Sequence, residues 1–458
     1  MKKLVLLLCF PAAVMARTPG NDDSVFIRKI ANSALTERST YQNLYNLTKK
    51  VGGRLAGSPG MVKAELWGAD ALKAAGADKV ILQECMVPHW VRGGKDKASF
   101  IYTAGGKQVS APVNVLALGN SVGTGAKGVK AELIRVHSFD ELDARKNEVK
   151  GKIVLYDVPF EETFVQTFEA YGKNVIYRAI GASRAAKYGA VAVWVRSMSH
   201  SVDNNPHTGS LRYLDSIPQI PAAAVGLRDM EKLDSLLDQG KTLTGELYTY
   251  GKMLPDTIGH NVIGELKGTE HPEQIITVGG HLDSWDVNEG ATDDGAGVVQ
   301  TIAILKAFKE TGYRPKHTIH FVLFANEENG TRGGKKYAEA AKAAGEQHLF
   351  ALESDAGGFA PRGFTLGAPA SLDKFNSYKP LFAPYGVEGF TAGGGGADVD
   401  PLHAVLGTAV SELRPDSQRY FDVHHAANDV LENVNIRELK LGAVNMAALL
   451  YLVDQYGL

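Results

Sequence analysis

The residues of this chain that could do chemistry fall into a few dense clusters. His281 and Asp283 stand in Gly279-Gly280-His281-Leu282-Asp283-Ser284, and Asp293 and Asp294 follow in Gly290-Ala291-Thr292-Asp293-Asp294-Gly295. Glu327 and Glu328 lie in Asn326-Glu327-Glu328-Asn329-Gly330, and Asp355 in Leu352-Glu353-Ser354-Asp355-Ala356-Gly357. Near the C-terminus, His424, His425 and Asp429 occur in Tyr420-Phe421-Asp422-Val423-His424-His425-Ala426-Ala427-Asn428-Asp429. One such group alone carries little, because a histidine beside a strand is usually structural and a Glu-Glu pair is usually a solvated face. Together, carboxylate and imidazole suit zinc, or a pair of zinc-like ions. A pair about 3.5–4 Å apart needs one bridging carboxylate and two terminal ligands per ion, and an adjacent free carboxylate can serve as general base for a water.

What must position these residues is a sheet. Apolar runs over 274–280, 318–325 and 348–353 read as strands, and each is followed by one of the clusters. Between them, Val298, Val299, Ile302, Leu305 and Phe308 make the apolar face of a helix ending at Gly312, and 337–344 reads as another helix. Strands alternating with amphipathic helices predict an α/β fold with a mostly parallel sheet covered on both faces. In such sheets ligands bind beyond the carboxyl ends of the strands, so separate strands would bring His, Asp and Glu to one place. Upstream, 24–75 reads as interrupted helix and 80–87 as a strand. The stretch 91–250 has a different texture, with short β runs at 113–118, 131–136, 152–157, 190–195 and 222–225 and helices near 180–187 and 228–237. It reads as a smaller α/β domain of its own. Gly119-Asn120-Ser121-Val122-Gly123 matches a serine nucleophile elbow, but that motif needs a helix directly after the serine and Thr124-Gly125-Ala126-Lys127-Gly128 is a poor helix start.

The 458 residues suggest two or three domains, or one large domain with an insertion. A hydrophobic share of 44% and a charged share of 22% are ordinary globular usage and exclude a mostly disordered chain. With 49 basic and 51 acidic residues the chain has no electrostatic footprint for nucleic acid. Lys2 and Lys3, the apolar run 4–14 and the small-residue site Val14-Met15-Ala16 predict a signal peptide over 1–16, and therefore a secreted or periplasmic protein without a membrane anchor once it is removed. Only Cys9 and Cys85 occur, and Cys9 leaves with the leader, so no intramolecular disulfide can hold the mature protein.

Taken in order and spacing, His281-x-Asp283, Asp293-Asp294, Glu327-Glu328, Asp355 and His425-x-x-x-Asp429 resemble peptidase family M28 of clan MH, the co-catalytic zinc aminopeptidases and carboxypeptidases. The longer strings are similar to its carboxypeptidase Q branch: Gly280-His281-Leu282-Asp283-Ser284-Trp285-Asp286-Val287, Glu353-Ser354-Asp355-Ala356-Gly357, Pro88-His89-Trp90 and Pro206-His207-Thr208-Gly209. The resemblance implies a zinc-exopeptidase fold in two chain segments, 17–90 and 251–458, with 91–250 as an inserted protease-associated-type domain. It implies two zinc ions per chain. His281 and Asp355 would hold one, Glu328 and His425 the other, and Asp293 would bridge them. Glu327 would be the general base, and Asp283 would orient a ligand histidine. A tyrosine that precedes the last histidine in many members is replaced here by His424, which leaves the oxyanion partner open. His424, His207 and Asp398, the last beside Gly393-Gly394-Gly395-Gly396, are the expected substrate contacts. The implied activity is hydrolysis of small peptides, dipeptides with a free amino end, by a homodimer. The rival readings are an aminopeptidase trimming longer peptides and a non-catalytic relative that only binds them.

Overall fold

In the computed structural model, which describes residues 19–458, two eight-stranded sheets organise the chain. The leader expected over 1–16 lies outside the described residues. The strands of the larger sheet are β1 (Lys79–Val91), β2 (Lys252–Leu266), β3 (His271–His281), β4 (His317–Phe324), β5 (Gln347–Glu353), β6 (Pro361–Leu366), β7 (Gly389–Ala392) and β8 (Ala409–Pro415). Their order is β1-β2-β4-β3-β5-β8-β6-β7. The central strands β4, β3, β5 and β8 run parallel, and antiparallel partners join at both flanks. This is the mostly parallel mixed sheet that the alternating pattern predicts.

Both faces are covered. Along β4, Ile319, Phe321 and Leu323 enter one core with the helices Asn21–Thr36, Pro59–Ala75, Gly295–Thr311 and Ile436–Tyr456. The alternate residues Val322 and Phe324 enter another core with Tyr337, Ala338 and Ala341 of helix Arg332–Ala344 and Leu402 of helix Asp400–Leu406. The two-residue period of a strand makes this division. Helix Gly295–Thr311 links β3 to β4 on one side, and helix Arg332–Ala344 carries the chain back across β3 to β5 on the other. The C-terminal end of β3 is therefore a point where the strand order reverses, the place where an open α/β sheet leaves a crevice.

The second sheet is drawn from residues between Lys97 and Tyr248, in the order 107–113, 97–104, 244–248, 129–136, 153–156, 192–196, 222–225, 115–117. The chain enters it from β1 and returns through β2, and these two strands stay paired out to Val91 and Lys252.

Several elements differ from the sequence expectation. Helix Arg332–Ala344 starts five residues before the expected 337, through Gly333 and Gly334. A Cβ at Gly333 would come 2.1 Å from the Ala325 carbonyl oxygen and one at Gly334 2.4 Å from that of Asp398, so these glycines serve close packing rather than a break. Helix Thr167–Ala186 begins well before the expected 180, and the fifteen-residue β2 and the C-terminal helix Ile436–Tyr456 have no counterpart in the sequence reading.

Candidate metal centre and catalytic cleft

The four parallel strands deliver the clustered residues to one edge of the sheet. His281 is the last residue of β3, Glu327 and Glu328 follow β4, Asp355 follows β5, and His424 and His425 follow β8 after the short helix Tyr420–Val423. Asp293 precedes helix Gly295–Thr311, whose N-cap is Asp294.

Asp293 spans the group. Its Oδ1 is 3.1 Å from His281 Nε2, which is also 3.2 Å from Asp355 Oδ1. Its Oδ2 is 3.2 Å from His425 Nε2, which is also 3.0 Å from Glu328 Oε2. One carboxylate thus faces two imidazole–carboxylate pairs, the geometry a bridging ligand requires. Asp294 also comes near His281 and Asp355. Both its oxygens, however, accept backbone hydrogen bonds, from Gly297 N at 2.8 Å and His281 N at 3.0 Å. Its side chain caps the helix and steadies the strand end, whereas that of Asp293 is turned to the histidines.

A surrounding layer fixes these side chains. Asp283 accepts from the N–H of Glu327 at 2.9 Å and of Glu328 at 3.3 Å, and its carboxylate stands 3.6 Å from His281 Nδ1. Asp429 accepts from Thr292 N and Asp293 N, at 2.7 and 3.1 Å. The Arg54 guanidinium is fully buried and donates to the carbonyls of Leu282, Glu289 and Gly290, bracing the loop that carries Asp283. Burial lowers its pKa to about 10 against the pull of Asp429, Asp283 and Asp294.

The donor set fits cations. Asp293 Oδ2 and both Glu328 oxygens are buried and receive no hydrogen bond. His425 Nε2 lies close to Asp293 Oδ2 and Glu328 Oε2, so these three atoms can hold one cation between them. Burial, with Asp293 beside it, pushes Glu328 up to about 7. Burial opposes a charge on His425, but Glu328 and Asp293 outweigh it and raise the ring to about 9. Crowded buried carboxylates of this kind are stable in ionised form only when paired or metal-bound. Imidazole and carboxylate together suit zinc.

The cluster opens into a cleft of about 900 Å³ whose walls include Asp293, Glu327, Glu328, Asp355, His424 and His425. Tyr171, Arg178 and Tyr213 from the 91–250 stretch line it as well. A cavity of about 940 Å³ in that stretch, lined by residues such as Phe100, Tyr102 and Arg228, holds none of the clustered carboxylates.

Two expected substrate contacts are placed elsewhere. His207 is buried at 3% exposure, outside the cleft lining, and burial lowers its pKa to about 4. Asp398 is fully buried and outside the cleft lining, its N–H donating to Glu353 Oε2 at 3.0 Å. Only His424 of the three lines the cleft, with Nε2 3.8 Å from Asp293 Oδ2. Ser121 is buried, accepts from Ala222 N at 2.9 Å and precedes no helix, so the elbow-like motif is structural. Arg54 and Arg178 were not apparent from sequence. Arg54 sits in a glycine-flanked loop that reads only as a helix break.

The model of Peptidase family M28 matches residues 261–450. Carboxypeptidase Q of Mus musculus is 34% identical over 418 residues, covering 91% of this chain and 86% of that one. Carboxypeptidase Q of Homo sapiens is likewise 34% identical, with 91% and 85% covered. The chain belongs to peptidase family M28. This M28 peptidase matches a solved peptidase M28 precursor from Shewanella amazonensis SB2B at 33% identity and a TM-score of 0.89, over 95% of this chain and 97% of that one. An aminopeptidase from Aneurinibacillus sp. strain AM-1, 21% identical with a TM-score of 0.61 over 93% and 95%, shares the fold. Family membership makes the chain a metallopeptidase, and its relatives support a metallo-exopeptidase.

Proposed function

We propose that this M28 peptidase is an exported di-zinc exopeptidase acting on small peptides, chiefly dipeptides with a free amino end. The reading rests on one observation above all: Asp293 faces His281 with Asp355 on one side and His425 with Glu328 on the other, at the mouth of a cleft that Glu327 also lines. His281, Asp355, Glu328 and His425 would hold the two ions, with Asp293 shared between them. When bound, the zinc pair supplies Lewis acidity that activates a water and offsets negative charge on the reacting carbonyl oxygen. Glu327 takes the proton of that water and returns it to the leaving amine. Asp283 holds the Glu327–Glu328 backbone and His281 in register, and Asp429 does the same for Asp293. His424 presents a neutral ring beside Asp293, since burial and the neighbouring His425 hold its pKa well below the ordinary range. It is the group in place to donate to the carbonyl oxygen. Residues 17–90 and 251–458 form the catalytic unit, and 91–250 the protease-associated-type insert. No helix among the described residues is long and apolar enough to cross a membrane. Export follows from the leader, with cleavage after Ala16.

The test is zinc analysis of the purified mature protein beside hydrolysis of free and N-acetylated dipeptides and of tetrapeptides. Two zinc ions per chain and preferential cleavage of free dipeptides are expected. Faster cleavage of tetrapeptides would assign the chain to the longer-peptide aminopeptidases. Bound zinc with no hydrolysis of any peptide would make it a binding relative.

A further inference from the structure

The two histidines of the centre are held from different parts of the molecule. His281 Nδ1 lies 3.0 Å from the Asp283 carbonyl oxygen, a partner two residues away. His425 is held from the 91–250 stretch. Thr208 N donates to the His425 carbonyl at 3.0 Å, and His425 Nδ1 lies 3.3 Å from the Thr208 carbonyl oxygen. Arg178, from helix Thr167–Ala186, donates through Nη1 to that same oxygen at 3.3 Å and stands 3.3 Å from Nδ1. A guanidinium can only donate. With Nε2 turned to a cation beside Asp293 and Glu328, Nδ1 would carry the proton, and the Thr208 oxygen would be the acceptor it shares with Arg178.

The holding group is itself anchored. Thr208 Oγ1 donates to the Ala117 carbonyl at 2.8 Å, and Gly119 N donates to the Gly209 carbonyl at 3.0 Å. Arg178 is 6% exposed, with Nη2 donating to the Tyr171 hydroxyl at 2.7 Å. Gly209 has φ +127°, and a Cβ there would come 2.4 Å from Arg178 Cζ. The string Pro206-His207-Thr208-Gly209 thus has a physical use: it carries the carbonyl that meets His425, with a glycine that makes room for the arginine.

We propose that Thr208 and Arg178 are positioning residues for the cation held by His425 and Glu328, so that the insert completes one half of the metal centre. The inference rests on the di-zinc reading. Metal-ligating histidines are generally oriented by the acceptor on their other nitrogen, and loss of such partners typically lowers metal affinity about 10- to 100-fold. The insert would then govern occupancy of one cation position and not the other.

The test compares zinc affinities of wild-type protein, Gly209→Ala and Arg178→Lys by competition with a graded series of chelators. Both substitutions keep the local charge. That matters because removing a buried positive charge would by itself favour cation binding and mask the loss of orientation. In both variants one of the two zinc dissociation constants is expected to rise about 10- to 100-fold while the other stays put. The cobalt-substituted proteins should show a changed absorption spectrum at one position. Thermal unfolding of the metal-free proteins reports whether the fold is intact, and Arg178→Lys remains informative if Gly209→Ala misfolds. Wild-type affinity for both ions in the folded variants would overturn the inference, as would equal weakening of both. A variant with both affinities intact and only a raised KM would instead make Arg178 a substrate contact. A wild-type protein that binds fewer than two zinc ions would defeat the di-zinc reading itself, and this inference with it.

Discussion

Glu327 and Glu328 are adjacent, yet their surroundings assign them different work. Glu328 is buried against His425 with both oxygens free of hydrogen bonds, while Glu327 is half-buried and lines the cleft. Asp283 receives the N–H of both residues and so fixes the backbone from which the two side chains diverge. Glu327→Gln keeps shape but cannot take a proton. It is expected to retain both zinc ions and bind substrate while losing about 10²- to 10⁴-fold in turnover, the usual worth of general-base assistance. Glu328→Gln exchanges a charged ligand for a weak neutral one, so one ion should leave first and activity should follow. Excess zinc should partly restore Glu328→Gln and do nothing for Glu327→Gln. Zinc content measured beside peptide hydrolysis decides it, and a metal-deficient or fully active Glu327→Gln protein would show the roles to be misassigned.

At the level of elements, the start of helix Gly295–Thr311 joins folding to chemistry. Asp293 is turned towards His281 and His425, while the next residue closes the helix end and holds the end of β3. Asp293→Ala should therefore abolish binding of the ion pair. Asp294→Ala should leave about two ions per chain but lower stability. A lost N-cap costs about 1 kcal/mol, and an orphaned buried N–H at His281 adds about 1–3 kcal/mol. Urea unfolding beside zinc analysis separates the two substitutions, and the opposite pattern would move the bridge to Asp294.

For the whole molecule, the sheet face opposite the four-helix core carries a buried polar chain. His320 Nδ1 lies 2.7 Å from the Tyr337 hydroxyl, which is 3.2 Å from Thr277 Oγ1; that oxygen is 3.1 Å from His348 Nδ1. The chain links β3, β4 and β5 to helix Arg332–Ala344, and so the strands that carry the site to the layer behind them. Burial, helped by His348, lowers the His320 pKa to about 4 from an ordinary 6.5. Because the folded value is the lower one, the unfolded chain takes up the proton first as pH falls. The stability linked to a neutral His320 is present above about pH 6.5 and is lost between there and about pH 4. In full it amounts to about 3 kcal/mol. Urea midpoints for wild type and His320→Gln across this range should show a shallower acid slope in the variant, and equal slopes would refute the assignment.

Sequence alone determined the acidic and histidine clusters and the sheet that gathers them. Both are written locally, in apolar runs whose ends fall beside His281, Glu327 and Asp355, and in helix spacing that ends at Gly312. What lay beyond sequence depends on which distant backbone packs against a residue. Gly333 and Gly334 look like a break until the Ala325 and Asp398 carbonyls are seen to press on them. His207 and Asp398 look like substrate contacts until burial removes them from the cleft. Arg54 reaches Leu282 across 228 residues, and Arg178 meets His425 across 247. No local period encodes such pairs. They arise only when the tertiary structure brings distant segments together, which is why the clustered carboxylates and histidines were legible in sequence and the groups that hold them were not.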